Sequence, residues 1–191
     1  MARPRKFEEE RAVEAAMRAF WTDGYEATST QELCDATGLG RSSIYNTFRS
    51  KHDLFEKALA HYMDVKTANI VQVLEDGSRP VRERLRTILG WAVEPEPGDP
   101  AGCLVVNTMV ELAPRDETIA ERLKRDERRR LTALTAAIEE GIRSGEIDRS
   151  KDAKALAHFV VSTVSGMRVV ARGGADGRTL ASIADTAMNA I

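Results

Sequence analysis

Apolar residues recur along this chain at three- and four-residue intervals. No stretch alternates convincingly with the period of two that marks a half-buried strand. The first such face, Val13, Ala16, Met17, Phe20 and Trp21, predicts a helix over about residues 7–23, closed by Gly24. A short helix over 30–36 follows, with Ser29 as N-cap and Glu32 at the capping-box position. Thr37-Gly38-Leu39 reads as a turn in which Gly38 supplies a positive φ, and a second short helix opens near Gly40. A long helix over 50–75 carries Leu54, Ala58, Leu59, Tyr62, Met63, Ile70, Val73 and Leu74. Asp76-Gly77-Ser78-Arg79-Pro80 breaks it, and further helices are expected over 80–93, 102–112, 116–144 and 152–171. A last helix carries Leu180, Ile183, Ala184, Ala187, Met188 and Ile191, and the Pro-rich run over 94–100 must be an exposed loop. The expected fold class is all-α, with about nine helices.

Composition narrows the function. With 191 residues, 42% apolar and 30% charged, the chain has room for one or two globular domains. Its longest uncharged apolar run, residues 155–167, is too short to span a bilayer, and its polar start offers no secretory leader. A reducing cytoplasm is therefore the expected location, with no membrane partner. Cys34 and Cys103 lie far apart, and His52, His61 and His158 are scattered, so no metal site and no cofactor are expected. Cys34, beside Leu33, reads as a small core residue. The run Arg122–Arg130 reads as a solvated helix surface paired at i,i+4. No nucleophile–base pair or phosphate-cradling glycine loop stands out, which argues against an enzyme.

The chemistry concentrates in residues 30–51. Two brief helices joined by a glycine-containing turn are the helix-turn-helix layout, locked by Leu33, Leu39 and Ile44. Arg41, Ser42, Ser43, Tyr45 and Asn46 then point outward, and these side chains suit base edges and phosphates. From Leu39 to His52 there are Arg41, Arg49 and Lys51 and no acid, a local basic strip in a chain of net charge −2. The first turn of the helix at Thr30 offers unpaired N–H groups and a hydroxyl to phosphate. The N-terminal Arg3, Arg5 and Lys6 read either as a solvated tail or as an arm for DNA phosphates or the minor groove.

The run Ala19-Phe20-Trp21-Thr22-Asp23-Gly24-Tyr25-Glu26-Ala27-Thr28-Ser29, the motif after it, and Tyr45-Asn46-Thr47-Phe48-Arg49-Ser50-Lys51-His52-Asp53-Leu54-Phe55 together resemble the N-terminal domain of TetR-family transcriptional regulators. Gly40 stands where that family most often has Ser or Thr, and Thr47 where His or Tyr is common. The resemblance implies a DNA-binding domain over 1–52 and a helical ligand-binding and dimerisation domain over 53–191. It also implies that the 50–75 helix links them and carries a ligand signal. The function expected is a ligand-released repressor that binds an inverted-repeat operator as a homodimer. Thr30, Arg41, Ser42, Ser43, Tyr45, Asn46 and Lys51 are its expected DNA contacts.

For the effector, an unidentified small molecule, Tyr62, Met63, Trp91, Cys103 and Asn107 could converge on a cavity of apolar walls with one amide or phenol. The 152–171 helix has more apolar surface than one core needs, so Phe159, Val164 and Met167, with Ile183 and Ala187, are the expected dimer interface. The alternative is a thiol-based redox sensor using Cys103, which sits near a helix start that can lower a thiol pKa.

Overall fold

The structure is a computed structural model that describes the backbone of residues 3–191 and the side chains of residues 9–191. The basic side chains expected to form an N-terminal arm lie outside the described residues. All regular elements among the described residues are helices: α1 (Arg3–Asp23), α2 (Thr30–Thr37), α3 (Arg41–Phe48), α4 (Lys51–Leu74), α5 (Val81–Val93), α6 (Leu104–Glu111), α7 (Glu117–Ser144), α8 (Ala153–Arg172) and α9 (Gly177–Ala190). The all-α expectation holds, and the boundaries fall close to where capping residues and glycine stops put them. The chain divides into two compact units, one of Met1–Val65 with Leu104–Leu123, the other of Lys66–Cys103 with Lys124–Ile191. Helices α4 and α7 contribute to both.

The first unit is built on aromatic side chains. Phe20 meets Phe55 edge-on with centroids 5.1 Å apart, Tyr25 meets Phe55 at 4.9 Å, and Trp21 meets Tyr62 at 4.9 Å. Such pairs contribute roughly 0.5–1.5 kcal/mol each beyond the area they bury. Leu33 and Ile44 are buried, as the helix-turn-helix reading requires, whereas Leu39 is only half-buried. Phe48 takes the larger share, with no exposed surface. Cys34 is half-buried rather than a core residue, because α2 turns that edge toward its rim.

In the second unit Leu85, Ile88 and Leu89 of α5 pack with Leu134 and Ile138 of α7, Val160 and Met167 of α8, and Leu180 and Met188 of α9. Among them lies Arg84, 2% exposed, on the same stripe as Val81, Leu85 and Ile88. Its guanidinium meets Glu140 through two hydrogen bonds of 2.6 and 3.0 Å, and donates to the carbonyls of Leu74 (2.9 Å) and Arg79 (2.7 Å). Four acceptors converge on one buried cation, so burial does not strand its charge. Asp126 corrects the solvated reading of the Arg122–Arg130 run. It is 5% exposed, accepts from Thr67 at 2.6 Å and pairs with Arg130 at 3.1 Å.

Arg84→Met keeps most of the volume but orphans the Leu74 carbonyl at the end of α4 and the Arg79 carbonyl in the loop before α5, and should cost about 2–4 kcal/mol in denaturant unfolding. Glu140 adds a pH signature. The hydrogen bond from Arg84, and then its charge, hold the Glu140 carboxyl below its ordinary range. A carboxylate depressed in the fold stabilises fully above its unfolded pKa, near 4.5, and loses that contribution as pH falls through the folded value. Glu140→Gln should therefore flatten the fall of melting temperature below pH 4.5. An unchanged acid limb in the variant places the acid sensitivity on other carboxylates.

Candidate DNA-binding surface

Ser29 caps α2: its hydroxyl accepts from the Glu32 amide at 3.2 Å, and the Glu32 carboxylate accepts from the Ser29 amide at 2.6 Å. The backbone bond from Ser29, chiefly, lowers the Glu32 pKa. At the other end Gly38 takes φ 70, ψ 10 and donates its N–H to the Cys34 carbonyl at 2.9 Å. A residue with a Cβ is strained in that left-handed region, so the turn into α3 needs glycine there. Gly40 is the N-cap of α3 and offers no side-chain cap bond.

With Ile44 and Phe48 turned inward, helical geometry leaves Arg41, Ser42, Ser43, Tyr45 and Asn46 in solvent. Three expected contacts form one cluster. The Tyr45 hydroxyl lies 3.2 Å from Thr30 Oγ1, and the Arg41 guanidinium lies 5.8 Å from the Tyr45 ring centroid. The hydrogen bond with Thr30, and then Arg41, shift the Tyr45 phenol toward ionisation. Lys51, half-buried, donates to the Glu26 carbonyl at 3.4 Å and sits 4.6 Å over the Tyr25 ring. Next to it, His52 meets Asp116 at 2.7 Å. Asp116 also caps the start of α7 through the Ile119 amide at 3.0 Å, and that bond, followed by the one with His52, lowers its pKa.

Arg49, noted in the sequence only as a cation, takes φ 58, the only positive φ outside glycine among the described residues. It closes α3, its amide bonding to the Tyr45 carbonyl at 3.1 Å. Such a conformation costs a residue with a Cβ on the order of 1 kcal/mol.

The residues expected around an effector fall in different units. Tyr62 and Met63 are buried in the first, where Asn107 Nδ2 reaches the Trp21 carbonyl at 3.5 Å. Trp91 and the half-buried Cys103 belong to the second. Trp91 lines a groove of about 380 Å³ with Leu89, Ala181, Ala184 and Met188. Of the expected interface residues, Phe159 is 39% exposed, Val164 and Ile183 are partly buried, and Met167 and Ala187 sit in the core of the second unit. Val169 and Val170, at 54% and 41% exposed, share the outer side of α8 with Phe159. Sequence reasoning missed Arg84, Asp116 and Glu111. Arg84 left a signal as a charge on an apolar stripe and Asp116 one as a capping acid at a helix start, whereas Glu111 left none.

A capped helix, a left-handed glycine turn and a short second helix with a polar outer face define a helix-turn-helix DNA-binding protein. The family model described as "Bacterial regulatory proteins, tetR family" matches residues 12–58, and that described as "Tetracyclin repressor-like, C-terminal domain" matches residues 81–187. The chain belongs to the TetR family of transcriptional regulators. It is 31% identical to the transcriptional repressor ComR of Escherichia coli strain K12, over 97% of this chain and 90% of ComR. It is 29% identical to the repressor DhaR of Mycobacterium sp. strain GP1, over 81% of this chain and 77% of DhaR. Its fold matches a cysteine-substituted CifR, solved with 26-base-pair operator DNA, at TM-score 0.83 and 28% identity over 95% of both chains. No helix among the described residues is long and apolar enough to cross a membrane.

Arg49→Gly should leave the melting temperature unchanged or raise it by a few degrees, since relieved strain outweighs or offsets the added freedom of the unfolded chain. A marked fall would show that the Arg49 side chain itself holds the turn.

Proposed function

We propose that the protein is a cytoplasmic transcriptional repressor that binds an inverted-repeat operator as a homodimer and is released by a small-molecule effector. The observation that carries this reading is the joined cluster of Thr30, Arg41 and Tyr45 on the exposed side of α2 and α3. Phosphate bonds from Thr30, Tyr45, Ser42 and Lys51 hold α3 in register, while Arg41, Ser43 and Asn46 meet base edges in the major groove. CifR was solved on operator DNA, and ComR and DhaR are repressors, which supports the same role here.

Phe159, Val169 and Val170 supply the apolar face for the two-fold contact, with Val164 and Ile183 at its edge and Met167 and Ala187 supporting it from the core. Two heads one helical turn apart then enter successive major grooves. Of the residues expected around an effector, Trp91 of the second unit is assigned the contact. The groove beside Trp91 supports a seat for an apolar ligand group. Such a ligand shifts DNA binding only by its different affinity for the two states.

Selecting bound duplexes from a random pool with the purified protein should recover a palindromic motif; recovery of no sequence preference overturns the reading. On the selected operator, Arg41→Ala should relax preference at one base pair per half-site, costing about 1–3 kcal/mol of discrimination. Equal weakening on all duplexes would assign Arg41 to phosphate instead. A charge in the α8 face tests the dimer. Val169→Glu, at an exposed position, should give monomers in sedimentation and poor operator binding, and intact dimers would move the interface off α8.

A further inference from the structure

The chain leaves α1 at Asp23 and reaches the Ser29 cap of α2 through a five-residue corner. In that corner one distant carboxylate gathers two consecutive backbone donors. The amides of Tyr25 and Glu26 bond to Glu111 at 2.9 and 2.7 Å, across 86 and 85 positions of sequence. Glu111 is the last residue of α6. One turn earlier on that helix, Asn107 Nδ2 approaches the Trp21 carbonyl at 3.5 Å, the long limit of a hydrogen bond.

These two contacts divide what would otherwise be a single bond. If α1 continued, the Tyr25 amide would donate to the Trp21 carbonyl, four residues back. The Gly24 amide still bonds helically to Phe20, at 2.9 Å, and the pattern stops there. Glu111 has taken the next donor, and Asn107 covers the acceptor left behind. Gly24 makes the approach possible: its φ is +92°, and a Cβ there would lie 3.1 Å from the Glu111 carboxylate. The Thr28 hydroxyl closes the corner on the Gly24 carbonyl at 2.6 Å.

The opposite side of the same dipeptide holds a DNA contact. Lys51 donates to the Glu26 carbonyl and sits over the Tyr25 ring, at the 3.4 and 4.6 Å already given. Thr30 follows the corner directly, behind Ser29. The Tyr25–Glu26 pair is thus gripped by α6 on its N–H side and touched by the Lys51 cation on its carbonyl and ring side.

We propose that Glu111 is a positioning residue for DNA binding, assisted by Asn107. The clasp that α6 makes on the corner sets where α1 ends, and thereby the pose of Lys51 and of the amino end of α2. When the clasp opens, the Tyr25 amide returns to the Trp21 carbonyl and α1 lengthens, drawing the corner away from the pose that presents Lys51 and Thr30. This inference rests on the DNA-binding reading, and its test separates the two.

The probe is the operator duplex recovered by selection, with the full-length protein. Glu111→Ala should weaken binding about tenfold, the scale of lost charge-assisted hydrogen bonds, with the active fraction in a stoichiometric titration unchanged. Glu111→Gln, which keeps one acceptor, should fall between Ala and wild type. Amide exchange at Tyr25 and Glu26 should quicken in both variants. Because Glu111 acts through Lys51, the double variant with Lys51→Ala should lose less than the sum of the two single losses. Unchanged exchange at Tyr25 and Glu26 would show that the carboxylate does not hold the corner. Faster exchange with wild-type affinity, or strictly additive losses with Lys51→Ala, would overturn the positioning role. Failure of the wild-type protein to select any duplex strikes the DNA-binding reading, while the exchange measurement still decides the clasp.

Discussion

An eight-residue helix has no independent stability in water, because nucleation costs more than two turns of hydrogen bonds return. Helix α3 is such a helix, and its N-cap is a glycine without a side chain to help. Everything that keeps it helical comes from outside it. Ile44 and Phe48 anchor it with 1% and 0% exposure, Gly38 aims it, and the strained Arg49 stops it after two turns. Burial of Ile44 and Phe48 is what holds a helix too short to stand alone, with its polar side free.

Much of this was legible in the sequence, for reasons that differ from element to element. Helix ends were readable where a local residue decides them: Ser29 and Glu32 at the start of α2, Gly38 at its end, Gly40 before α3. The outward set on α3 was readable because burying Ile44 fixes the rest of an eight-residue helix. Asp126 was not, since a charge inside a charged run looks solvated even when it falls on the inner side of the helix. Arg84 was legible in principle, at the i+3 position from Val81 and i−4 from Ile88. Glu111 left no trace, because its partners lie 85 residues away and are backbone groups. Helix α8 shows a third kind of failure. Its surplus of apolar residues could be counted, but one helix pattern does not say which of them, Met167 or Phe159, faces the chain's own core.

Exposure decides which of the charged contacts matter. Arg86 and Asp185 pair at 3.5 Å with 62% and 72% of their side chains in water, and such pairs contribute close to nothing. Arg115 and Glu26, at 3.9 Å and similar exposure, belong to the same class. Asp126 differs: at 5% exposure, it is held between Thr67 on α4 and Arg130 on α7. An apolar trio of equal volume could serve stability as well, and removing one partner alone would strand a buried charge. The polar cluster contributes direction, since three groups with fixed donors and acceptors admit fewer packings of α4 against α7 than methyl groups do.

The same logic extends to the ends of the helices. The last four carbonyls of a helix have no partner within it, and a cation in the last turn is the usual local remedy. Helices α1, α4, α5 and α9 have no basic residue in their last turns. In each case a donor from elsewhere in the same unit supplies the bond. Arg84 reaches Leu74 at the end of α4, and Arg168 reaches Trp91 near the end of α5 at 2.6 Å. Arg82 and Lys151 reach Met188 and Ala190 of α9 at 2.7 and 2.8 Å, and Asn107 approaches Trp21 of α1. Helices α7 and α8 carry Arg143 and Arg172 in their own last turns. Where a helix is finished by a distant side chain, its length becomes a tertiary property: moving the donor changes where the helix ends. Three of these donors are arginines inside the second unit, at 2.6–2.9 Å from their carbonyls. The contact from Asn107 to α1, at 3.5 Å, is the longest of the five, and it lies directly before the corner that leads into the DNA-binding helices. Of the five distant contacts just named, that one is the most easily undone.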